Sequence, residues 1–192
     1  ILIGANGQLG TDIQKIIPSN LVIPQIQSDL EITDRKQVFS VLRKYAPDIV
    51  INTAAYNDVD GAEENMDTAF RVNACAVKHL VDACDEHDCV LVHFSSDFVF
   101  GADNTRKIPY TEKDKEGPLS IYGISKLCGE KIILASMKKF YVIRTAVLYG
   151  VAGLLGTGDN FIETMIRLGK EKKNLNVVND QFVSPTYAYN LA

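Results

Sequence analysis

The sharpest chemical signal is a tyrosine, a lysine and a serine at the end of an apolar run. Tyr122-Gly123-Ile124-Ser125-Lys126 reads Y-x-x-x-K inside a helical pattern. A spacing of four places both side chains on one helix face. A ketone that accepts hydride gathers negative charge on its oxygen and needs a proton. Free tyrosine is a weak acid, with a pKa of about 10. An ammonium close by favours the phenolate, so Lys126 is expected to lower the Tyr122 pKa and Tyr122 to serve as general acid. A Tyr–Lys pair by itself is most often a solvated surface pair. Here Ser95-Ser96-Asp97 directly follows the apolar run Cys89–Phe94. A hydroxyl at that strand end can hydrogen-bond the same carbonyl oxygen, completing an oxyanion-stabilising, proton-donating set. One of the two serines is expected to act as a strand cap.

A second signal opens the chain. Gly4-Ala5-Asn6-Gly7-Gln8-Leu9-Gly10 gives G-x-x-G-x-x-G after a short strand and at the start of a helix. Gly4 and Gly7 permit a tight turn. The free N–H groups at the helix start, those of Gln8 and Leu9, then face an anion such as a dinucleotide pyrophosphate. Gly10 lets the helix pack closely. An acid about 20 residues further on often binds the adenosine ribose, and Asp29 and Glu31 lie in that region. Glu31 is alternatively an adenine neighbour, and Asp34 a helix cap. The second strand carries Gln25 and Gln27, neither a ribose-binding acid nor a phosphate-binding arginine, so NAD(H) and NADP(H) are both left open.

These residues need a scaffold. Strand-like runs fall at Ile1–Ile3, Leu21–Ile26, Asp48–Thr53, Cys89–Ser95, Phe140–Thr145 and Leu175–Val178. Amphipathic stretches fall between them, at Gln8–Ile17, Asp34–Tyr45, Glu63–His87, Ser120–Met137 and Asn160–Lys170. Strands apolar on both faces, alternating with helices, predict an α/β fold with a doubly wound, mainly parallel sheet. Pro24 shortens the second strand. The charged stretch Ala102–Gly117 reads as a long, functional loop. Gly150–Gly158 reads as a second, mobile loop where the chain leaves the nucleotide domain.

Composition sets limits. The 192 residues are 46% apolar and 23% charged, with net charge −4 and no basic stripe. One domain is expected, without nucleic acid as partner. No run approaches the roughly 20 apolar residues of a membrane span, and no signal peptide is expected, because the short apolar run Ile1–Ile3 goes straight into the glycine turn. Cys75, Cys84, Cys89 and Cys128 form no CxxC pair and have no histidine at zinc-ligand spacing, so no metal is expected. Reduced, mostly buried thiols in a cytoplasmic protein follow. His79, His87 and His93 lie on apolar-patterned segments and read as structural.

At this point the chain resembles the dTDP-4-dehydrorhamnose reductase branch of the extended short-chain dehydrogenases. The segments that carry the resemblance are GANGQLG at the start, LEITD at 30–34, PDIVINTAAYNDVDGAE at 47–63, VNACAVKHL at 72–80, SSDFVFG at 95–101, YGISKLCGEK at 122–131, RTAVLYG at 144–150 and VVNDQFVSPTY at 177–187. The resemblance implies a Rossmann domain over 1–192, with 151–175 leading into a substrate domain whose remainder lies outside this chain. It implies hydride transfer from NADPH or NADH to a 4-keto sugar on a nucleoside diphosphate, in dTDP-L-rhamnose biosynthesis. Ser96 then matches the hydroxyl member of the triad, Tyr122 the proton donor and Lys126 its partner. Ala54, Ala55 and Tyr56 match the loop along the cofactor, Asn73 the helix asparagine at the nicotinamide end, and Asp97 an acid beside the catalytic hydroxyl. Ser95 and Glu31 stay with the cofactor set. A homodimer is kept as an option.

Three departures stand out: family members are longer, Val183 replaces a glycine, and Val147 stands where the family often carries tryptophan on the substrate side. Two other readings share the scaffold. One is a nucleotide-sugar epimerase or dehydratase, which Asp97 supports. The other is a non-catalytic binding subunit resembling the methionine adenosyltransferase beta subunit, whose aliphatic strand resembles Val147-Leu148-Tyr149-Gly150.

Overall fold

The computed structural model describes residues 1–151, 161–179 and 181–192. Five parallel strands form the main sheet: β1 Leu2–Ile3, β2 Pro24–Gln25, β3 Ile49–Asn52, β4 Val90–Ser96 and β5 Phe140–Thr145. Their order is β2-β1-β3-β4-β5, with register pairs such as Ile3 with Asn52, Asn52 with His93 and Ser95 with Arg144. The order reverses between β1 and β3. In open α/β sheets ligands bind in the crevice outside the strand C-termini at such a switch point. The Gly4 turn follows β1 and the Ala54 loop follows β3, so both border that crevice.

Helices α1 (Gln8–Ile16), α2 (Arg35–Tyr45), α3 (Val59–Glu64), α4 (Met66–Phe70), α5 (Ala76–Glu86), α6 (Ile121–Ser136), α7 (Phe161–Glu171) and α8 (Ala188–Leu191) complete the described elements. On one face of the sheet Val38 and Leu42 of α2, Val77, Leu80 and Val81 of α5 and Ile133 of α6 pack with Val50 and Leu91. On the other, Leu9 and Ile13 of α1 pack with Leu2, Leu148 and Leu191. Each such side chain contributes about 1.5–3 kcal/mol when fully buried. Asp34 caps α2 by accepting from the N–H groups of Lys36 and Gln37, as its position predicts.

Three expectations change. Leu175–Val178 is not a strand, and Val177 and Val178 are exposed without a sheet neighbour. Instead Leu148–Tyr149 (β6) and Thr186–Tyr187 (β7) form a separate parallel pair. The stretch expected as one helix over Glu63–His87 starts earlier and breaks, because Asn65 leaves helical backbone at φ −120° and ψ 47°. A wide π turn then spans Arg71–Cys75 before α5. The thiols are not mostly buried: Cys84 and Cys89 are, whereas Cys75 and Cys128 are exposed. Of the predicted Gly150–Gly158 loop and of 151–175, residues 152–160 lie outside the described residues.

Candidate active site

The glycine turn has the form its spacing predicts. Gly4 takes φ +78°, and a Cβ there would lie 2.6 Å from Thr53 Oγ1. A Cβ on Gly10 would lie 2.3 Å from the Gly4 carbonyl oxygen. Only bare backbone fits this approach of α1 to the turn. Gly7 caps α1 without a side-chain hydrogen bond, and the first turn holds no acid. Its N–H groups are therefore free of side-chain partners and carry the positive end of the helix dipole. The buried Gln8 Nε2 also has no hydrogen-bond partner among the described residues. The cradle and the orphaned donor both fit an anionic group such as a pyrophosphate.

Beside the turn, Ala5, Asn6, Gln14, Pro24, Ile26 and Asp29 line an open cleft of about 330 Å³. Asp29 faces it. Glu31 instead accepts from the Thr33 N–H and hydroxyl and from Gln27 Nε2, bonds of the loop with itself. Those bonds, Gln27's first, hold its carboxyl below the usual range.

The loop after β3 is fixed from two sides. Asn52 Oδ1 accepts from the Ala54 N–H at 3.1 Å, which turns Asn52 Nδ2 toward His93 Nδ1, also at 3.1 Å. Asn73, from the π turn, accepts from the Tyr56 N–H at 2.9 Å and donates to the Tyr56 carbonyl at 3.1 Å. It also reaches Ser125 Oγ at 3.0 Å, and Ser125 donates to the Tyr122 carbonyl at 2.7 Å. Asn73 thus ties the crevice loop to α6 and touches its neighbours as a brace. His93 is structural, as expected. Burial pushes its pKa well down, the Lys126 charge adds to this, and the ring is neutral.

Ser96 ends β4 and is buried. Its Oγ accepts from the Phe98 N–H and donates to Asp97 Oδ1, each at 3.2 Å. It is thus both cap and hydroxyl donor. Ser95 Oγ is buried with no hydrogen-bond partner. Helix α6 is held at its start by Ser120, which accepts from the Gly123 N–H, and by Glu63, which accepts from the Ile121 N–H. Gly123 lets α6 approach the turn after β4: a Cβ would lie 2.3 Å from the Phe98 carbonyl oxygen. Phe98 meets the Tyr122 ring edge-on at 5.5 Å. The Ser96 hydroxyl lies near enough to the Tyr122 phenol to act on its pKa.

One expectation is corrected. The Tyr122 pKa is raised, not lowered: burial pushes it up, the Ser96 hydroxyl opposes, and the Asp97 carboxylate adds to the rise. Lys126 is 2% exposed and donates to the Phe94 carbonyl at 2.7 Å, not to the phenol oxygen. Its own pKa is lowered to about 8 by burial, against the pull of Glu130. Asp97 is raised by burial. Val147 is 39% exposed on the connection into β6. Among the described residues no three His, Cys, Asp or Glu side chains are placed to hold a metal.

Sequence reasoning did not single out Asn52, Glu130, Arg144 or Glu116 around this site. The one available cue was Glu130, four residues after Lys126 on the same helix face.

A parallel sheet with a G-x-x-G-x-x-G crevice and a Y-x-x-x-K helix beside a strand-end serine defines the extended short-chain dehydrogenase class. A family model described as "RmlD substrate binding domain" matches residues 1–192. The chain belongs to that family, the dTDP-4-dehydrorhamnose reductases. A dTDP-4-dehydrorhamnose reductase of Aggregatibacter actinomycetemcomitans is 37% identical over 195 residues, covering 100% of this chain and 64% of that protein. A crystal structure of a dTDP-4-dehydrorhamnose reductase from Clostridium acetobutylicum superposes with TM-score 0.90 at 42% identity, covering 99% of this chain and 66% of that one. One from Bacillus anthracis, in complex with NADP, gives TM-score 0.90 at 38% identity with the same coverage. This chain spans 64% of the length of the first of these relatives. Among the described residues no helix is long and apolar enough to cross a membrane.

Proposed function

We propose that residues 1–192 form the cofactor-binding and catalytic part of an NAD(P)H-dependent reductase of a nucleotide-linked 4-keto-deoxysugar, of the dTDP-4-dehydrorhamnose reductase type. The observation that carries this reading is that α6, which bears Tyr122 and Lys126, packs against the end of β4 that bears Ser96, with Lys126 bonded to the Phe94 carbonyl two residues before that serine. The relatives' names and the NADP complex of the Bacillus anthracis protein support it.

The Gln8 and Leu9 N–H groups and Gln8 Nε2 would hold the pyrophosphate of NADP(H) or NAD(H). The Asn6–Asp29 cleft takes the adenosine end, with Glu31 bracing its rim. Ala54, Ala55 and Tyr56, held by Asn52 and Asn73, line the other side. When bound, the reduced nicotinamide supplies a hydride. Tyr122, kept protonated at neutral pH by its raised pKa, gives its phenolic proton to the ketone oxygen. Ser96 donates a hydrogen bond to that oxygen. The Lys126 charge stabilises the phenolate left behind. Asp97 and Val147 face the sugar side. The compartment this reading implies is the cytoplasm.

The test is to titrate NADPH and NADH into the protein by nicotinamide fluorescence and then add a dTDP-4-keto-deoxysugar. Binding followed by loss of reduced cofactor is expected. Failure to bind either cofactor removes the basis of the reading.

A further inference from the structure

Glu130 is 1% exposed and lies one helical turn beyond Lys126 on α6. Both its oxygens are held by Arg144 of β5, with Nε to Oε1 at 3.0 Å and Nη2 to Oε2 at 2.6 Å. Arg144 Nη2 also reaches Glu116 Oε1 at 2.9 Å, near the end of the loop that runs from Ser96 into α6, and Lys131 binds that same oxygen at 2.8 Å. The Arg144 guanidinium lies 4.9 Å over the Phe100 ring at the other end of the loop, and Phe100 stacks on Tyr110 at 4.4 Å.

A buried ion pair is weak evidence of stability, because apolar residues of the same volume are often as stable. The position of Glu130 gives it another use. Lys126 is enclosed with one backbone acceptor, and enclosure drives an ammonium toward its neutral form. The charged or titratable groups around Lys126 are few. They are Tyr122 and Glu130 on α6, neutral His93 on β4, Asp97 just past β4 and, behind Glu130, Arg144 on β5. Of these, Glu130 is the one that raises the Lys126 pKa.

We propose that Glu130 is a positioning residue: clamped by Arg144, it sets a fixed negative charge one turn from Lys126 and holds the ammonium in its charged form. The same clamp, through Glu116 and Phe100, fastens both ends of the β4–α6 loop to the helix that carries Tyr122. The use of that charge in catalysis rests on the reductase reading above, but the charge effect itself does not.

The experiment is an NMR titration of Nζ-adjacent carbons in 13C-lysine-labelled protein, without cofactor or sugar, with Lys126 assigned by the signal lost in Lys126→Arg. Glu130→Gln is expected to lower the Lys126 midpoint by about one pH unit or more, and Glu130→Asp to restore most of it. Glu130→Gln leaves Arg144 short of a partner and can fail to fold. The double variant Glu130→Gln/Arg144→Gln leaves no guanidinium short of its carboxylate and must lower the midpoint as well. An unmoved Lys126 midpoint in either folded variant overturns the proposal. The titration reads Lys126 directly, so a protein that shows this shift but never oxidises reduced cofactor overturns the reductase reading alone.

Discussion

Lys126 donates to the carbonyl of Phe94 at 2.7 Å, two residues before Ser96 on the same strand. This bond pins the middle of α6 to the strand end that supplies the hydroxyl. The three residues of the triad are thereby held as one unit, although more than 20 positions separate Ser96 from Tyr122.

On the proposed reading the acid in that unit is Tyr122. Tyr122→Phe keeps the ring and its edge-on contact with Phe98 and removes the proton. Turnover with reduced cofactor and a dTDP-4-keto-deoxysugar is expected to fall about 10²-fold or more, with cofactor affinity retained. Stopped-flow absorbance of the nicotinamide checks this, and unchanged turnover assigns the proton to another group.

Lys126 makes stability depend on pH in a defined direction. Its pKa falls from the ordinary 10.5 to about 8 on folding. Below pH 8 both states carry the proton and the folded state bears the full cost of burying it. Between the two values the folded state has lost the proton and the unfolded chain keeps it, so stability rises with pH. The full rise is of order 3 kcal/mol. Urea unfolding from about pH 7 to about pH 10 should show most of this rise against Lys126→Met, which lacks it.

Asn73 braces the crevice loop against α6 through three hydrogen bonds. Asn73→Ala leaves the part-buried Tyr56 backbone groups without that partner, at a cost of about 1–3 kcal/mol. Urea unfolding measures the loss. Cofactor affinity falls with it, because the Ala54–Tyr56 loop is no longer fixed.

Gly123 sets how closely α6 approaches Ser96. Gly123→Ala places a methyl group against the Phe98 carbonyl oxygen and is expected to destabilise by about 1–3 kcal/mol. Its turnover should fall more than its cofactor binding, since the glycine turn is untouched. Parallel measurement of the thermal midpoint, the cofactor dissociation constant and kcat separates the two effects.

β3, β4 and β5 were legible in sequence because each contains adjacent Val, Ile or Leu residues. β4 and β5 fall within about one residue of the positions that pattern indicates. The β6–β7 pair was not legible: two residues in each strand are too few to give a period. Leu175–Val178 has strand-like residues but no neighbour to pair with, and propensity alone does not make a strand. The π turn at Arg71–Cys75 carries Asn73 and its bonds to Tyr56 and Ser125, tertiary contacts that an amphipathic pattern does not show.

In the site, residue types and spacing named the triad and the cradle, since each is a local motif. They could not give the direction of the Tyr122 shift. That depends on how deeply the phenol sits and on Lys126 turning to Phe94, and neither is written in a spacing of four. Glu116, Glu130 and Arg144 come from a loop, a helix and a strand, so only the fold brings them together.

The most direct test is transfer of a label. The protein is mixed with nicotinamide cofactor deuterated at its hydride position and with dTDP-4-dehydrorhamnose, and the sugar product is examined by NMR. Deuterium on the sugar C4, one for each cofactor oxidised, is the predicted result. A sugar that changes configuration while the reduced cofactor and its label are unconsumed, or a sugar recovered unchanged, would contradict the reductase.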